Sequence, residues 1–508
     1  MPTTGNWEFA AALLLALPVV GAVLAGTRNS RRAYGVAVLF TVGALVSFAF
    51  VVNALLSASG TEGLTALWRL FPWLERTAGL FGFQVDALSI IMLAVVLTLG
   101  LLVVIFSGPY MSPANKDHAV TKGTPRYYGW LLLFVFSMVG LALAPNLLQL
   151  FVFWELTTIC SWALISYYDD RRSTAAGYKA LVLTSIGGGF FALALVVMYI
   201  PTHSFEFGAL AQLSMRRAGV VFLLLLIAAW VKAAQVPFFT WLPDAMTAPT
   251  PISAYLHAAA MVKAGPFLIA RVIYGSYGTL TGLRAPYDLG FTTLTLTGHN
   301  LGLVVAFAAL VTMLVGLYFY FLQDDLKRLL AYSTITHLAY MFFGLGLAIA
   351  GVWLGFQAAL LHLLAHGIAK TLLFLGVGSL AFATGSRSIS ALRGLAARMP
   401  VTAACFGVGV LALVGVPPLA CFWSKLFLLA ATVKLGGLAA ALLLIFFAGE
   451  TVLAFYWFLR ISQRVLLGEP APAFTEDPPR AMRGVLVVLA ILCLVGVAFA
   501  VPFLPPAP

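Results

Sequence analysis

The sequence has 508 residues, of which 62% are hydrophobic and only 9% are charged. Soluble globular proteins carry about 25% charged residues, so this composition excludes a soluble enzyme or binding module and predicts an integral membrane protein. The net charge of +12 would favour nucleic acid as the partner of a soluble chain. Here we interpret it as the basic excess of cytoplasmic loops, and we expect no nucleic-acid partner.

Repeated apolar runs of about 20 residues match the thickness of the bilayer's hydrocarbon core and predict about fourteen transmembrane helices. Spans must be helices because the lipid interior offers no partner for free backbone groups, so we expect an all-α membrane fold. Basic residues follow the first run rather than precede it, which predicts a true span and not a cleaved signal peptide. The predicted spans are 9–26, 33–55, 85–107, 128–144, 147–167, 177–200, 218–240, 252–274, 299–322, 328–350, 353–383, 400–431, 436–466 and 484–504.

The distribution of Lys and Arg between the connections predicts the orientation of the chain. Alternate connections, starting after the first span, hold sixteen: Arg28, Arg31, Arg32, Lys116, Lys122, Arg126, Arg171, Arg172, Lys327, Arg328, Arg387, Arg393, Arg398, Arg464, Arg480 and Arg483. The other connections hold six: Arg69, Arg76, Arg216, Arg217, Arg284 and Lys434. We therefore expect the first set to be cytoplasmic and both termini to face outward.

Charged residues inside the spans carry the functional signal. Ionisable groups within the bilayer cost at least a few kcal/mol each, and they usually mark ion pathways. A single one is readily explained by a structural ion pair, but five in five different spans predict a pathway: Glu155, Lys232, Lys263, Lys370 and Lys425. Burial disfavours the lysine ammonium and a nearby carboxylate favours it, so a carboxylate such as Glu155 can load or unload Lys232.

Prolines accompany two of these lysines. Pro237 follows Lys232 in the seventh span, and Pro417 and Pro418 precede Lys425 in the twelfth. Each proline removes a backbone donor, and broken helices at corresponding places in two halves point to ion sites in transporters. The spacing predicts a five-helix unit repeated once, although the opposite order of lysine and proline, and simple tolerated kinks, leave the alternative open. The predicted regions are N-terminal helices 1–127, repeats 128–274 and 299–466, and a C-terminal loop and helix 467–508.

A row of histidines connects the lysines. His362, His366 and Lys370 are spaced i, i+4, i+8, so they share one helical face at steps of about 6 Å and can pass a proton with the help of waters. His257 and Lys263 extend the row to the eighth span. Two alternatives are a packed histidine pair and a metal site, which would need a third ligand that this span lacks.

Glu450, a charged run and the cysteines complete the candidates. Glu450 is interpreted as the counterpart of Glu155 for Lys425 or as an exit to the outer side, with a pair to Arg460 as the alternative. The charged run from Asp324 to Arg328 is interpreted as a solvated cytoplasmic turn. The four cysteines lie in apolar runs without a CxxC pair, so we expect no disulfide, no metal centre and no cofactor in this chain.

Together these motifs resemble the antiporter-like membrane subunits shared by respiratory complex I, membrane-bound hydrogenases and multisubunit cation/proton antiporters. The resemblance covers roughly residues 80–465 and is carried by FWELTTICSWALISYY, VKAAQVPFFTWLPDAMTAPTPISAYLHAAAMVKAG, DDLKRLLAYSTITHLAYMFFGLG, HLLAHGIAKTLLFL and VGVPPLACFWSK. Within the family, GTPRYYGWLLLF and CSWALISYYDD look most similar to component D of hydrogenase-4, which belongs to the membrane arm of formate-hydrogenlyase-type [NiFe] hydrogenase complexes.

The resemblance implies two inverted five-helix repeats with broken helices seven and twelve. It also implies a proton-translocating role for the family's matching positions: Glu155, Lys232, His257 or Lys263, His362, His366, Lys370 and Lys425. Two features depart from relatives. The sequence reaches Pro508 without the lateral helix of the long complex I subunits, and TSIGGGFF, with Ser185 and Gly188, stands where some relatives carry an Arg and an Asp. Lys179 is a candidate to serve the Glu155 side instead.

These observations support three classes of function. The first is a proton- or sodium-translocating subunit of a redox-driven complex in a bacterial or archaeal cytoplasmic membrane, with other membrane subunits and a peripheral hydrogenase or NADH-dehydrogenase-like arm as partners. The second is a subunit of a non-redox cation/proton antiporter or a bicarbonate-uptake system. The third, a membrane enzyme with a metal on the histidine face, lacks a carboxylate-lined pocket. The chain has no motif for electron transfer, so any oxidoreductase activity would belong to its partners.

Overall fold

The computed structural model describes residues 5–57, 63–68, 81–288, 293–468 and 477–507. In this part of the chain the α-helices of the first half are α1 (Gly5–Gly26), α2 (Ser30–Ser57), α3 (Ala87–Tyr110), α4 (Thr124–Ala142), α5 (Leu147–Ile165), α6 (Arg171–Thr202), α7 (Met215–Lys232), the short α8 (Trp241–Asp244), α9 (Thr250–Ala258) and α10 (Ala264–Thr281). The second half contains α11 (Gly298–Phe321), α12 (Leu326–Ile349), α13 (Leu354–Thr384), the short α14 (Leu395–Arg398), α15 (Pro400–Val414), α16 (Ala420–Leu435), α17 (Gly437–Leu466) and α18 (Arg480–Val495). Short 3-10 turns stand at Phe207–Gln212, Ala245–Thr247, Met261–Lys263, Gly496–Phe499 and Val501–Phe503.

Two small antiparallel hairpins interrupt the helical pattern of the described chain. Strand β1 (Leu64–Trp68) pairs with β2 (Phe81–Val85), and β3 (Arg284–Asp288) pairs with β4 (Thr293–Thr297). They lie in two of the connections, which the hydropathy pattern treated as loops. Arg69 and Arg76, which the orientation argument counted, lie outside the described residues.

Twelve helical stretches of the described chain are long and apolar enough to cross a membrane. The predicted all-α integral membrane fold is confirmed by this count and by the helical character of the remaining segments. The number fourteen and the two inverted repeats stay predictions. Pro400–Val414, for example, is apolar but shorter than a full span.

The bundle is organised around helix α13, which packs against α3, α9, α12, α15, α16 and α18. The apolar windows of α12, α13 and the stretch Thr250–Thr281 are completely buried within the protein. By contrast, only 28% of the apolar window in α17 and 33% of that in α2 is buried, so these two helices lie at the periphery of the bundle. Polar side chains on α12 and α13 therefore point into protein rather than lipid.

Within the described residues, three of the predicted spans are broken. Helix α7 ends at Lys232 and the chain resumes helical structure at Trp241, with a cis bond between Val236 and Pro237. A second break separates α15 from α16 around the cis bond between Pro417 and Pro418. Both interruptions were predicted from the prolines. The third, between Ala258 and Met261 in the span predicted as continuous over 252–274, was not.

A buried ion pair holds α3 to α10. Arg271 donates hydrogen bonds to the carboxylate of Asp86 and the hydroxyl of Ser89, and both charged side chains are at most 5% exposed. Asp86 also caps α3, because its Oδ1 accepts from the backbone N–H of Ser89 at 3.0 Å. Sequence reasoning missed this pair, which joins the N-terminal end of the third predicted span to the eighth.

Replacing Asp86 with Ala is expected to destabilise the protein strongly. The guanidinium of Arg271 would stay buried without its anion, and breaking a buried pair costs about 3–5 kcal/mol. Thermal unfolding of the purified protein in detergent measures the effect. Asp169→Asn is the matched control, because Asp169 and Arg126 form a pair 2.7 Å apart with side chains 65% and 48% exposed, which is worth about 0–1 kcal/mol. Equal shifts of the unfolding temperature in the two variants would show that the buried Asp86–Arg271 pair stabilises the protein no more than the exposed pair does.

Candidate functional site

The first end of the predicted pathway lies between α5 and α7. Lys232, at the last turn of α7, is fully buried, and its Nζ donates to the carbonyl of Trp154 at 2.9 Å and to Thr158 Oγ1 at 2.6 Å. The ammonium also lies 4.9 Å from the centroid of the Trp154 ring. The helix break after Lys232 thus directs its side chain onto one turn of α5.

Glu155 is the next residue on that turn, but it does not form an ion pair with Lys232 in the described structure. Its Oε1 is buried without a hydrogen-bond partner. The carboxylate rests on Gly188 of α6, where an added Cβ would come within 2.1 Å of Oε1. A residue with a side chain at position 188 would therefore have to displace the Glu155 carboxylate. Glycine at this position leaves the space that the carboxylate occupies.

Lys179 serves a different group from the one considered in the sequence. Its Nζ lies 2.7 Å from Asp244 Oδ2 and 3.3 Å from the carbonyl of Thr240, in a half-exposed ion pair. It ties α6 to the segment that follows the α7 break. In the described structure, Glu155 consequently has no lysine bound to its carboxylate.

Gln235 lies within the α7 break and reaches toward the second half of the bundle. Its side chain is fully buried, and its Nε2 donates to the carbonyl of Ala233 at 2.8 Å and, more weakly, to that of Ile335 at 3.4 Å. Its Oε1 has no partner among the described residues. This residue lies between Lys232 and α12, and sequence reasoning missed it although it stands three residues after the lysine.

The break between α9 and α10 separates His257 from Lys263. Lys263 donates to the carbonyl of Leu363 on α13, and its Nζ passes close to Gly367, where a Cβ would meet it at 2.5 Å. His257 is fully buried with neither ring nitrogen bonded to a described residue, and its ring lies 5.0 Å from that of Phe374. Both residues therefore approach α13, from different sides of the break.

The centre of the pathway is a cluster of three buried histidines. His362 and His366 of α13 face the protein interior as predicted, and His337 of α12 joins them, with ring centroids 5.2 Å and 5.1 Å away. His337 Nδ1 and His362 Nε2 are 3.0 Å apart, and His362 Nδ1 is 2.8 Å from Ser424 Oγ. With the Ser424 hydroxyl donating to the carbonyl of Cys421, His362 donates to Ser424 and accepts from His337.

The far end combines Lys425, Tyr340 and Glu450. Tyr340 donates a hydrogen bond to Glu450 Oε2, and Lys425 Nζ lies 5.2 Å from the centroid of the Tyr340 ring. Lys425 itself donates to the carbonyl of Val414, at the end of α15, at 3.0 Å. The alternative pair between Glu450 and Arg460 is wrong, because Arg460 is exposed and donates to Tyr456. A small cavity with space for about one water is lined by Tyr320, Ser333, Thr336, His337, Lys425 and Glu450 among others.

Several buried polar atoms along this route have no hydrogen-bond partner among the described residues. Buried groups normally find a hydrogen-bond partner, and ordered water supplies it where protein does not. The atoms concerned are Glu155 Oε1, Gln235 Oε1, both nitrogens of His257, both nitrogens of His366 and Glu450 Oε1. We therefore expect bound water at these positions, which is also what proton transfer between them requires.

The histidine cluster does not form a metal centre of the kind considered from the sequence. Within the residues that the structure describes, no group of three or more His, Cys, Asp or Glu side chains is arranged to hold a metal ion. The four cysteines are free and buried.

Two residues of α12, His337 and Tyr340, belong to the site although the sequence analysis did not select them. His337 and Tyr340 stand one turn apart in the middle of an apolar span, in STITHLAYMFF. Histidine, like lysine, is rare inside transmembrane segments and usually marks a functional position. The interpretation of Lys327 as part of a solvated turn is wrong, because its side chain is buried, with 1% of the residue exposed.

The chain matches one family over more than half of its length. Residues 144–281 and 285–453 match the family described as "NADH:quinone oxidoreductase/Mrp antiporter, TM". Residues 73–128 match the family described as "NADH-Ubiquinone oxidoreductase (complex I), chain 5 N-terminus".

Curated relatives include subunit 5 of chloroplast NAD(P)H-quinone oxidoreductase from Adiantum capillus-veneris, 40% identical over 379 residues, which are 70% of this chain and 48% of the relative. NAD(P)H-quinone oxidoreductase chain 5 of Synechocystis sp. is 34% identical over 446 residues, 81% of this chain and 60% of the relative. The chain thus spans about half to three fifths of the length of these relatives.

Solved structures that share this fold include chains of two complexes. The Mrp complex from Dietzia sp. contains a chain that superposes with a TM-score of 0.79 at 30% identity, covering 96% of this chain and 50% of that one. The membrane-bound sulfane sulfur reductase, an archaeal respiratory membrane complex, gives a TM-score of 0.81 at 24% identity, covering 97% of this chain and 95% of that one. The second likeness concerns the fold alone.

Proposed function

Because the chain belongs to the antiporter-like membrane subunit family of NADH:quinone oxidoreductases and Mrp antiporters, we propose that it conducts protons along the buried residues from Glu155 to Glu450. It does so as a subunit of a redox-driven membrane complex. The residues of this route are Glu155, Lys232, His257, Lys263, His362, His366, Lys370, Lys425 and Glu450, together with Gln235, His337 and Tyr340. Sodium is the alternative ion.

One observation carries the proposal: the buried lysines donate to carbonyl oxygens, and no carboxylate of the described residues binds them. Lys263, Lys370 and Lys425 donate to the carbonyls of Leu363, Leu330 and Val414. A structural role would call for ion pairs, because an unpaired charge in an apolar interior is costly. A carbonyl accepts from the neutral amine as well as from the ammonium, so these lysines can lose and regain a proton without losing their position.

The arrangement supports transfer in both halves. Ionised Glu155 favours the ammonium form of Lys232, and a change in the charge or position of the carboxylate releases the proton. The proton then passes through water near Gln235 to the histidine cluster, where neighbouring rings accept and donate in turn. From His337 and His362 it reaches Lys425 and Glu450. At the last step Tyr340 orients the carboxylate.

The position of Glu155 supports a neighbouring membrane subunit as partner. The residue is partly exposed, on a face of α5 and α6 that also exposes Val152, Ile159, Val182 and Ile186. A carboxylate at this depth is unfavourable against lipid. A further membrane subunit with a polar or cationic group at this level would cover it.

For the whole assembly we propose a group 4 [NiFe] hydrogenase or formate-hydrogenlyase type of complex in a bacterial or archaeal cytoplasmic membrane, with both termini outside. The segments GTPRYYGWLLLF and CSWALISYYDD support this choice. The alternatives are NADH-quinone oxidoreductase, a bicarbonate-uptake system and a cation/proton antiporter, the last supported by the likeness to the Mrp complex. The proposed repeats, 128–274 and 299–466, each contain a broken helix with a buried lysine.

Purification of the native complex with identification of its subunits tests the assembly. A hydrogenase large subunit and iron–sulfur subunits would support the proposal, and their absence from an intact, active complex would overturn it. The ion is tested separately, by proton uptake into vesicles in sodium-free buffer. Transport that requires sodium would replace the proton by the alternative.

Replacing Gly188 with Ala is expected to reduce transport, because the new Cβ would come within 2.1 Å of Glu155 Oε1 and must displace it. Gly189→Ala is the matched control, since nothing described lies within 4 Å of a Cβ there. Ion transport per assembled complex in membrane vesicles is the measurement. We expect a several-fold loss in the first variant and none in the second, and equal rates would show that the position of Glu155 is unimportant.

A further inference from the structure

Lys327 is a buried lysine that the route described so far does not use. It stands at the start of α12, and its Nζ donates to the carbonyl of Ala248 at 2.7 Å. Ala248 lies between the 3-10 turn Ala245–Thr247 and helix α9, which carries His257. Among the described residues Lys327 forms no ion pair, and like the lysines of the central row it donates to a backbone carbonyl.

A cluster of charges lies next to Lys327, on the membrane face that holds the connection between α3 and α4. Arg387 Nε is 3.8 Å from Asp117 Oδ1 and 3.7 Å from Asp325 Oδ2, and His118 Nδ1 is 3.5 Å from Asp117 Oδ2. The side chains of His118 and Arg387 are 43% and 25% exposed, whereas Asp117 is only 9% exposed. Water therefore reaches the cluster from this face.

Asp117 is ionised at neutral pH. Burial raises the pKa of its carboxyl, but the hydrogen bond with His118 and the positive charges of Arg387 and Lys327 lower it more, so that the pKa lies below its usual value. A permanent negative charge beside Lys327 favours the arrival of a proton from the surface.

On its inner side Lys327 is one helical turn from the central row. Lys370 of α13 donates to the carbonyl of Leu330 at 2.9 Å, and Leu330 follows Lys327 by three residues, a rise of about 4.5 Å along α12. Lys327 thus stands on α12 one turn before the carbonyl that holds Lys370, with its own Nζ on the Ala248 carbonyl.

We propose that Lys327 takes up protons from this membrane face and passes them to Lys370. A hydronium ion at the cluster gives its proton to the neutral Nζ of Lys327 and leaves water. The ammonium then gives a proton, through a water molecule, to the neutral Nζ of Lys370, and Lys327 becomes neutral again. Asp117 is a positioning residue that favours the first step. This inference rests on the proposed function and adds a branch to it.

The experiment compares variants of Lys327 in the reconstituted native complex, with proton transport per assembled complex as the readout. Lys327→Gln keeps a donor for the Ala248 carbonyl but cannot carry a proton. We expect a fall of at least about tenfold, which corresponds to only about 1.4 kcal/mol in a rate-limiting barrier. Lys327→His should recover part of the loss, because imidazole takes up and releases protons near neutral pH. Lys116→Gln, in the exposed part of the α3–α4 connection, should transport normally.

The aspartates provide a second comparison. Asp117→Asn should slow transport several-fold, whereas Asp324→Asn, in the same charged run as Lys327 but exposed and bonded to Ser388 and Ser390, should not. Wild-type transport by Asp117→Asn would remove Asp117 from the uptake step.

The outcomes separate this inference from the proposed function. If Lys327→Gln transports normally while Lys370→Gln is inactive, Lys327 is only an anchor for the start of α9 and the branch is overturned, but the central row stands. If Lys370→Gln also transports normally, the proposed function fails. Should Lys327→Gln not assemble, Lys327→Arg decides, because it keeps the charge and the donor but stays protonated. An assembled, slow Arg variant supports the branch; a normal rate, or loss of assembly in both variants, overturns it.

Discussion

Replacing Lys232 with Ala is expected to abolish ion transport while the complex still assembles. The lysine is held by Trp154 and Thr158 and by no carboxylate of the described residues, so its removal breaks no ion pair there. Replacing Glu155 with Gln should have nearly the same effect, since it keeps the size of the side chain and removes the charge that favours the ammonium. We expect losses of at least about tenfold in transport per assembled complex, measured in membrane vesicles.

Lys232→Arg provides the test of mechanism. Arginine keeps the positive charge but stays protonated in proteins, so it should fail as fully as alanine if Lys232 must release its proton. Glu206→Gln and Lys434→Ala, at exposed positions, are the controls. If the Ala and Gln variants assemble normally and transport at the wild-type rate, the mechanism proposed here is wrong. If activity declines only in step with the amount of assembled protein, the residues are structural.

Much of the fold follows from hydropathy, because an apolar segment that crosses the bilayer must satisfy its own backbone hydrogen bonds and therefore forms a helix. Prolines add the breaks at Pro237 and Pro417, where the chain leaves the helix as predicted. The break after Ala258 was not predicted in this way, because the sequence there is largely apolar and no proline lies between Pro251 and Pro266. There the irregular backbone is tolerated because it is buried in protein, a tertiary property that the local sequence does not reveal.

The candidate site was predictable wherever a charge interrupts an apolar span. That rule identified the four mid-span lysines and Glu155. It placed Lys327 in a solvated turn, because several charged residues stand together at the start of α12. The structure shows that neighbours in sequence separate in space there: Asp324 is exposed and bonded to serines, whereas Lys327 turns inward onto Ala248. Which face of a helical turn is buried depends on the packing of α8 and α9 against α12.

Partners across the bundle were the hardest part to predict. Glu155 was interpreted as the partner of Lys232, and Glu450 as the counterpart of Glu155 for Lys425 or as an exit to the outer side, with a pair to Arg460 as the alternative. In the structure the hydrogen bonds go to other groups: Lys232 donates to the carbonyl of Trp154 and the hydroxyl of Thr158 on α5, and Glu450 accepts from Tyr340. Sequence separations of 78 and 110 residues join these partners, so no local pattern indicates them. The consequence is chemical, because lysines on carbonyls and a carboxylate on a phenol can change charge more easily than an ion pair.

Replacing Tyr340 with Phe, which breaks its hydrogen bond to Glu450, is the second change that we expect to reduce transport strongly. Tyr340→Phe removes the hydroxyl that donates to Glu450 and keeps the ring on which Lys425 and the histidines rest. Glu450 Oε1 already has no partner among the described residues, so the carboxylate would lose the donor that holds Oε2 and move or bind water instead. We expect transport to fall by at least about tenfold, since loss of a hydrogen bond to a charged group costs about 1.5–3 kcal/mol.

Glu450→Gln completes the experiment, because it retains an acceptor for Tyr340 and removes the charge. If the two residues act as one unit at the end of the route, the double variant should transport no more slowly than the worse of the two single variants, since groups that act together are not additive. Tyr332→Phe is the matched control on the same helix, where the ring stacks on Phe319 at 5.2 Å and is retained. Independent, multiplying losses in the double variant would show that Tyr340 acts elsewhere, through the histidine cluster and not through Glu450.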